Sequence, residues 1–435
     1  MITKCMKLPS RARLSVLAGR WMPRATMGII DQGLFSGSNF LVNIMLARWL
    51  SPDDYGSFAI AFAIYLGFAG IVCSLTLEPM MVYGTTDFSD NIQDYLAKVS
   101  IMHFGISGFL AAALLAAALF FGGETGRIIG FSACALPFML QVWFIRRSLY
   151  CTMQLPSVAT VSLLYSVTLV GGLFVLRYVD MVIPLYIYGV FILASLVCVA
   201  YYRIAVVKKT HTATAQASPV KQIIRRHWKF GKWLVIASVA ASVSTLLYAP
   251  ILGLMSNLKD VAAYKAIQNL SLPFSQILTV FTMLMLPIMS RVVKNDSRER
   301  IHRYIWSATA GFGLFAALYG LFLLVFGRQI LMLLYANKFY VEYCWMIPVF
   351  AFVILIRSIN QSLATAIRAY ESTRTILAAK IGSALVVLFT LMIFVPTRGL
   401  HGVLLAMCLG VLTEFGIVVR FFLHPDRRSA VIRGV

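Results

Sequence analysis

Twelve long stretches without a charged residue recur along this sequence and constrain its fold more than any other feature. They lie at 32–47, 55–77, 99–123, 128–145, 159–176, 181–202, 233–258, 266–290, 304–327, 343–356, 381–397 and 399–413. A helix needs about 20 apolar residues to cross the hydrocarbon layer, and in lipid only helices and closed barrels satisfy their backbone groups. Because these stretches are continuously apolar, they predict helices and not the alternating strands of a barrel.

The composition indicates the same class of protein. Of 435 residues, 60% are apolar and 12% are charged, whereas soluble domains carry about 25% charged residues. This deficit excludes a soluble enzyme, a disulfide scaffold and a disordered chain. We therefore predict an all-α integral membrane protein with about 12 transmembrane helices, at 27–50, 54–78, 98–122, 128–150, 157–177, 181–203, 230–255, 263–291, 303–327, 343–367, 376–397 and 400–422.

The distribution of basic residues predicts the orientation. If the N-terminus is cytoplasmic, the inner segments hold 29 of the 38 Lys and Arg residues and the outer segments hold 8. Such a bias marks the cytoplasmic side of a membrane protein, so we expect both termini there. The net charge of +22 then reflects topology and affinity for an anionic inner leaflet, and we expect no nucleic acid partner.

The longest polar stretch divides the chain into two sets of six spans. A shift of the first half by 206 residues places Asp54 on Asp260 and Phe58 on Tyr264. Since six is even, such a repeat would be parallel, and its pseudo-two-fold axis would lie along the membrane normal. We expect a basic cytoplasmic N-terminal segment at 1–26, an N-lobe at 27–204, a basic cytoplasmic linker at 205–228, a C-lobe at 229–423 and a cytoplasmic tail at 424–435.

A polar stripe runs along the first span. Gln32, Ser36, Asn39 and Asn43 are spaced i, i+4, i+7 and i+11, on one face of a helix, and Asp31 borders them. Polar groups are costly in lipid, so the stripe faces either protein or water. Two interpretations remain open: hydrogen bonding to a neighbouring helix, and the wall of a water-filled cavity.

The tenth span carries a cation near its middle. Arg357 is followed by Gln361 and Arg368 at i+4 and i+11. A cation at this depth costs at least a few kcal/mol to insert, so it needs a partner or a function. It forms an ion pair, with Asp31 or Glu414 as the available acid, or binds an anion in a central cavity, or snorkels to the membrane surface.

Other basic residues lie near the two membrane surfaces. Arg146 and Arg147 end the fourth span, and the simplest interpretation is that they reach the inner headgroups. Arg48 and Lys265 lie near the outer face, where each either contacts a leaving anion or anchors its span.

Two carboxylates inside spans are candidates for ion coupling. Asp31 and Glu414 could each bind a proton or a sodium ion, and Glu414 could equally pair with a neighbour. The sequence has no metalloprotease, serine hydrolase or phosphate-binding loop motif, and its outer loops are too short for a glycan polymerase or ligase. We therefore expect a protein that is not an enzyme.

The turn between the first two spans follows the pattern LARWLSPDDYGSFA. Pro52 sits where a helix begins, and Asp53 and Asp54 favour its positive N-terminal end. Tyr55 and Gly56 then open the next helix. These residues predict a structural turn and not a catalytic site.

Residues 33–71, which contain this turn, resemble the first two spans of bacterial polysaccharide transporters. These are the O-antigen and exopolysaccharide flippases of the multidrug/oligosaccharidyl-lipid/polysaccharide (MOP) superfamily. The length, the span number, the cytoplasmic ends and the six-plus-six division are similar over the whole chain. The resemblance implies a MOP/MATE-like fold in the bacterial inner membrane.

The resemblance also implies a function: flipping of an undecaprenyl-diphosphate-linked oligosaccharide by alternating access of the two lobes. Arg357 would hold the diphosphate, with Arg146, Arg147 and Arg368 as further cations, while Gln361 and the polar stripe would contact sugars. Partners would be the lipid-linked oligosaccharide, the bilayer, and a polysaccharide polymerase with its export machinery.

No cofactor is expected. Without an ATP-binding loop, energy would come from a proton or sodium gradient, the membrane potential or removal of product. The alternative is a multidrug or small-molecule exporter of the same fold, driven by a proton or sodium gradient.

Overall fold

The computed structural model describes residues 11–121, 123–206, 219–295, 297–336, 338–370 and 372–423. The described residues form helices joined by short connections, and no strand occurs among them. The expected tail at 424–435, half of the linker (207–218) and the first ten residues of the N-terminal segment lie outside these ranges.

The first half of the chain begins with a long helix, and a π-helix interrupts the regular α-helical pattern of the segment that follows. A π-helix, Cys73–Leu77, joins α2 to α3, and another, Tyr202–Val206, follows α7. The helices are α1 (Arg11–Trp49), α2 (Pro52–Val72), α3 (Glu78–Tyr83), α4 (Ile92–Phe121), α5 (Gly123–Cys151), α6 (Leu155–Tyr178) and α7 (Pro184–Tyr201).

The second half begins with two pairs of helices, and a short connection separates the members of each pair. Its helices are α8 (Val220–Val243), α9 (Tyr248–Met255), α10 (Leu258–Asn269), α11 (Leu272–Asn295), α12 (Arg298–Tyr335), α13 (Lys338–Glu342), α14 (Ile347–Ala369), α15 (Thr373–Arg398) and α16 (Leu400–Leu423).

By the criteria of length and hydropathy, fewer helices qualify as membrane spans than the sequence predicts. Within the described ranges nine helical segments are long and apolar enough to cross a membrane, or ten if α8 and α9, bent by 49°, form one span. The predicted count of twelve is therefore not confirmed. The predicted span 27–50 lies in α1, where the polar stripe lowers hydropathy, and 263–291 crosses the break between α10 and α11.

Two helices begin before the apolar stretches that they contain. The first helix already begins at Arg11, inside the segment expected to precede the lobe, and α8 begins at Val220, inside the expected linker. The helices therefore extend beyond their apolar stretches, because a helix that leaves the membrane still satisfies its own backbone groups.

Helix packing divides the chain into two groups that meet along α2. In the first half α1 packs on α6, α4 on α5, and α7 on α5 and α6; in the second half α14 packs on α11, α12 and α16. Across the halves α2 contacts α8, α9 and α10. We call this contact the α2 seam.

The two halves share one local motif at the predicted spacing. Ser51 caps α2 by accepting a hydrogen bond from the Asp54 amide (3.1 Å), and Asn257 caps α10 by accepting one from the Asp260 amide (2.7 Å). The caps are 206 residues apart, as are the two aspartates. The helix start is thus repeated although its capping residue is different.

Candidate functional site

The strongest polar contact inside the first half joins α1 to α5. The Arg146 guanidinium donates from Nε to Asp31 Oδ1 (3.0 Å) and from Nη2 to Asp31 Oδ2 (2.7 Å). Asp31 is fully buried and Arg146 is 9% exposed. Two parallel hydrogen bonds of this kind hold a carboxylate more firmly than a single-point contact.

Two hydroxyl groups and an aromatic ring complete this buried cluster. Tyr150 donates to Asp31 Oδ2 (2.6 Å), and Ser162, on α6, donates to Asp31 Oδ1. The Arg146 guanidinium lies 3.9 Å from the centre of the Phe35 ring. The carboxylate therefore has four donated hydrogen bonds, and its charge is balanced by a cation that an aromatic face also stabilises.

The structure corrects the interpretation of Arg146. The sequence suggested that this side chain reaches the headgroups, but it turns inward to Asp31, because a buried carboxylate needs a compensating charge. The neighbouring Arg147 is exposed, as a headgroup contact requires. The same pair also means that Asp31 is not the ion-pair partner of Arg357.

The polar stripe of α1 is only partly satisfied by its own helix. Asn39 and Asn43 donate to the carbonyl oxygens of Phe35 (2.7 Å) and Asn39 (2.8 Å). The Asn43 Oδ1 atom is buried and accepts no hydrogen bond within the described part of the chain. Both of these donated hydrogen bonds thus stay within α1.

Gln32 connects the stripe to its surroundings. Its amide nitrogen donates to Ser36 (2.8 Å) and to Gln276 Oε1 on α11 (3.3 Å), and its oxygen accepts from Arg146 (3.4 Å). Gln32 and Gln276 are both exposed. This side chain thus links the buried ion pair to the second half of the chain.

Arg357 is in a different environment from Arg146. It lies ten residues from the start of α14, which is about 15 Å and so half of a membrane about 30 Å thick. Its side chain is exposed, and among the described residues no carboxylate lies within ion-pair distance of it.

The remaining predicted residues of α14 have mixed exposure. Gln361 is half-buried and Arg368, in the last turn, is exposed. Beside them Asn360 is buried, and its Oδ1 atom has no hydrogen-bond partner in the described ranges. The helix therefore offers a guanidinium and unsatisfied amide groups at neighbouring positions.

Glu414 has a local partner. Lys380 Nζ on α15 lies 2.6 Å from Glu414 Oε1 on α16. Of the alternatives that the sequence left open, pairing with a neighbour is the one observed. Glu414 is consequently also not the partner of Arg357.

The residues that the sequence predicts near the outer face form two separate features. Arg48 is exposed in the last turn of α1, and half-buried Lys265 donates to Gln268 (3.0 Å) within α10. Pro52 is the first residue of α2, with Asp53 and Asp54 in its first turn.

The start of α2 also belongs to the α2 seam. Tyr55 is fully buried and accepts a hydrogen bond from Asn269 (3.0 Å) of the second half. A Cβ atom on Gly56 would lie 2.1 Å from the carbonyl oxygen of Leu258, so only glycine permits this approach of the two halves.

Sequence reasoning missed several residues of these contacts. Tyr150 could have been found, because it lies four residues after Arg146 and so shares its helix face. Ser162, Gln276 and Lys380 carry no sequence signal that connects them to Asp31, Gln32 and Glu414. In the ranges that the structure describes, no group of three His, Cys, Asp or Glu residues could hold a metal ion.

Comparison with protein families gives one match. The model of the family described as polysaccharide biosynthesis protein matches residues 26–293, which include α1 to α10 and the buried ion pair. A search of curated protein sequences finds no significant match.

Solved structures give the fold. An inward-facing multidrug resistance MATE transporter of the MOP superfamily superposes with a TM-score of 0.76 at 13% identity, over 92% of this chain and 96% of that one. The lipid II flippase MurJ, in an inward closed conformation, has a TM-score of 0.69 at 13% identity, over 94% and 90%. An outward-facing MATE transporter has a TM-score of 0.62 at 13% identity, over 93% and 94%. The all-helical fold predicted from the sequence is confirmed.

Proposed function

The chain belongs to the polysaccharide biosynthesis protein family and has the fold of MOP-type transporters and flippases, and from this we propose that it flips an undecaprenyl-diphosphate-linked oligosaccharide across the bacterial inner membrane. The protein acts as a transporter and not as an enzyme. Both termini are cytoplasmic in this proposal, as the distribution of basic residues favours.

The observation that carries the proposal is the exposed guanidinium of Arg357 halfway along α14. Inserting a cation at this depth costs about 3 kcal/mol or more. Asp31 and Glu414 are occupied by Arg146 and Lys380, so neither compensates that charge. A diphosphate would compensate the charge of Arg357, because a guanidinium binds phosphate oxygens through paired hydrogen bonds.

The first half supplies groups for the sugars. Gln32, Ser36 and Asn39 are exposed or half-buried along α1, and each has hydrogen-bonding capacity beyond its present contacts. Arg146 is committed to Asp31 in this conformation, and so its role is to hold α1 against α5 rather than to receive the diphosphate first. The exposed Arg147 and Arg368 are positioned for the first encounter with the anion at the inner side.

Alternating access requires that one line of contact between the halves opens while another persists. The α2 seam is extensive, whereas Gln32 and Gln276 join α1 and α11 through a single hydrogen bond between exposed side chains. The weaker contact is the one that we expect to open toward the inner side. A gap between α1 and α11 would also leave room for the polyprenyl tail to remain in lipid.

A gradient of protons or sodium ions would supply the energy. A drug exporter of the same fold is the competing function. Cationic drugs need unpaired acidic groups in the cavity, and the two carboxylates that the sequence placed inside spans are each neutralised by a neighbouring cation. This favours an anionic substrate.

The test is an analysis of polyprenyl-linked saccharides by mass spectrometry in a strain that lacks the gene. We expect one complete lipid-linked repeat unit to accumulate, and restoring the wild-type gene to remove it. Arg357→Ala should fail to remove it although the protein inserts, and Arg357→Lys should restore part of the activity because the charge is retained.

Arg398→Ala is the matched control, because it removes an exposed arginine from the outer end of α15. It should behave like the wild type. An unchanged lipid profile in the deletion strain would contradict the flippase function and favour export of a soluble compound. Full activity of Arg357→Ala would contradict only the assignment of the anion site.

A further inference from the structure

The first three turns of α8 have a buried face and an exposed basic face. Ile223 and His227 are buried, and the exposed basic residues Lys221, Arg225 and Lys229 lie on the opposite side. Further along the helix, Trp233 and Ile236 follow Lys229 at i+4 and i+7, and they are 61% and 45% exposed. Exposed apolar residues thus continue the basic face further along α8.

The basic face lines a cavity of about 320 Å³. Its lining residues are Gln222, Arg225, Arg226 and Lys229. Arg226 is committed to the first half, because it forms an ion pair with Asp87. The other two cations, Arg225 and Lys229, are exposed at the mouth of the cavity.

The aromatic surroundings hold Arg226 in place. Its guanidinium lies 5.9 Å from the centre of the Tyr83 ring and 5.5 Å from that of Phe88. Asp87 and these rings therefore fix Arg226, while Arg225 and Lys229 remain exposed.

We propose that this cavity binds an acidic phospholipid of the leaflet in which α8 begins, with the lipid phosphate between Arg225 and Lys229 and an acyl chain along Trp233 and Ile236. Basic pockets at the membrane surface bind anionic headgroups, and tryptophan is favoured at the boundary between headgroups and acyl chains. A soluble anion would use the basic face alone. The exposed apolar residues that follow on the same face favour a lipid.

The site lies where α8 is fastened to the first half. His227 Nδ1 lies 3.0 Å from the carbonyl oxygen of Leu75, in the π-helix after α2, and its Nε2 lies 2.8 Å from the Tyr95 hydroxyl. Since the carbonyl can only accept, Nδ1 donates to it and Nε2 accepts from the tyrosine. A lipid held beside this junction would stabilise the inner end of the α2 seam.

The experiment uses the full-length protein in nanodiscs of phosphatidylcholine with increasing phosphatidylglycerol. Native mass spectrometry after release measures how many phosphatidylglycerol molecules stay bound, and a thermal scan measures the lipid-dependent rise in melting temperature. Arg225→Gln with Lys229→Gln should lower the apparent affinity for phosphatidylglycerol roughly 30-fold. The lipid-dependent rise in melting temperature should disappear with it.

Two further double variants serve as controls for this experiment. Arg303→Gln with Arg374→Gln removes two exposed basic residues from the same membrane side and should bind lipid like the wild type. Arg225→Lys with Lys229→Arg keeps both charges and should retain binding even if the neutral pair folds poorly. Equal lipid retention by the neutral pair and the control would overturn the proposal. So would a full stabilising effect of inorganic phosphate alone, because the site would then accept a soluble anion.

Discussion

Arg146 and Asp31 form a buried two-point ion pair that fastens α1 to α5, with hydrogen bonds of 3.0 and 2.7 Å. The pair sits five residues before the end of α5, about 8 Å from the C-terminal end of that helix. It gives the polar first helix a fixed place in the first half. Arg357, halfway along α14 in the second half, lacks such a partner among the described residues. Two arginines with the same side chain are thus assigned opposite roles, one structural and one for binding.

Breaking this pair from one side should destabilise the protein strongly. Asp31→Asn leaves Arg146 buried without a counter-charge, and loss of one partner of a buried pair costs about 3–5 kcal/mol. The double variant Asp31→Leu with Arg146→Met removes both charges and should recover a large part of that loss. Thermal unfolding of the purified proteins in detergent measures the loss of stability in Asp31→Asn and its recovery in the double variant. A double variant no more stable than Asp31→Asn would contradict the structural role of the pair.

A methyl group on Gly56 should prevent close approach across the α2 seam. The added Cβ would overlap the Leu258 carbonyl oxygen, which belongs to the backbone and cannot move independently. Gly56→Ala should therefore lower the melting temperature and transport. Gly67→Ala is the control in the same helix, where nothing lies within 4 Å of an added Cβ. It should be neutral or stabilise by up to about 1 kcal/mol, since alanine favours a helix. Equal behaviour of the two variants would rule out the steric argument.

The repeated caps should contribute equally to stability. Ser51→Ala and Asn257→Ala each remove one side-chain acceptor from a helix start, which costs about 1 kcal/mol. Each variant should therefore lower the free energy of unfolding by a similar amount. Thr397→Ala, at an exposed position that caps no helix start, should change it by less than about 0.5 kcal/mol. A large loss from only one cap would indicate that the two halves do not use the motif in the same way.

Glu414 should prove structural and not ion-coupling. Glu414→Gln keeps an acceptor for Lys380, so transport should continue and still respond to imposed proton and sodium gradients. Lys380→Met should be more destabilising, because it leaves a carboxylate in a poorly solvated site without a counter-charge. Transport assays in vesicles with imposed gradients provide the measurement. Loss of the gradient response in Glu414→Gln alone would assign the coupling to this residue.

Much of the architecture follows from local sequence properties. Continuous apolar stretches predicted the helices, and the pattern from Ser51 to Gly56 predicted where α2 begins. The recurrence of an aspartate 206 residues later pointed to the second cap, because capping depends on residues within one helical turn. Span number was not confirmed, since polar α1 falls below the hydropathy of the other spans and the predicted span 263–291 is divided between α10 and α11.

The partners of the charged residues could not be predicted in the same way. Asp31 was a plausible partner for Arg357 by depth alone, but it pairs with Arg146, 115 residues away in the chain. Ser162 and Tyr150 reach the same carboxylate from α6 and α5. Each of these contacts depends on which helix faces which, and hydropathy carries no information on that.

The sequence by itself determined that this chain is a helical membrane protein, where α2 and α10 begin, and which polar residues fall within its apolar stretches. These depend on apolar stretches, caps and charges that act over a few neighbouring residues. Only the tertiary structure decided that Arg146 and Glu414 are neutralised while Arg357 is exposed. The physical reason is that an ion pair requires two side chains within a few ångströms, and helices distant in sequence bring them together only when they pack.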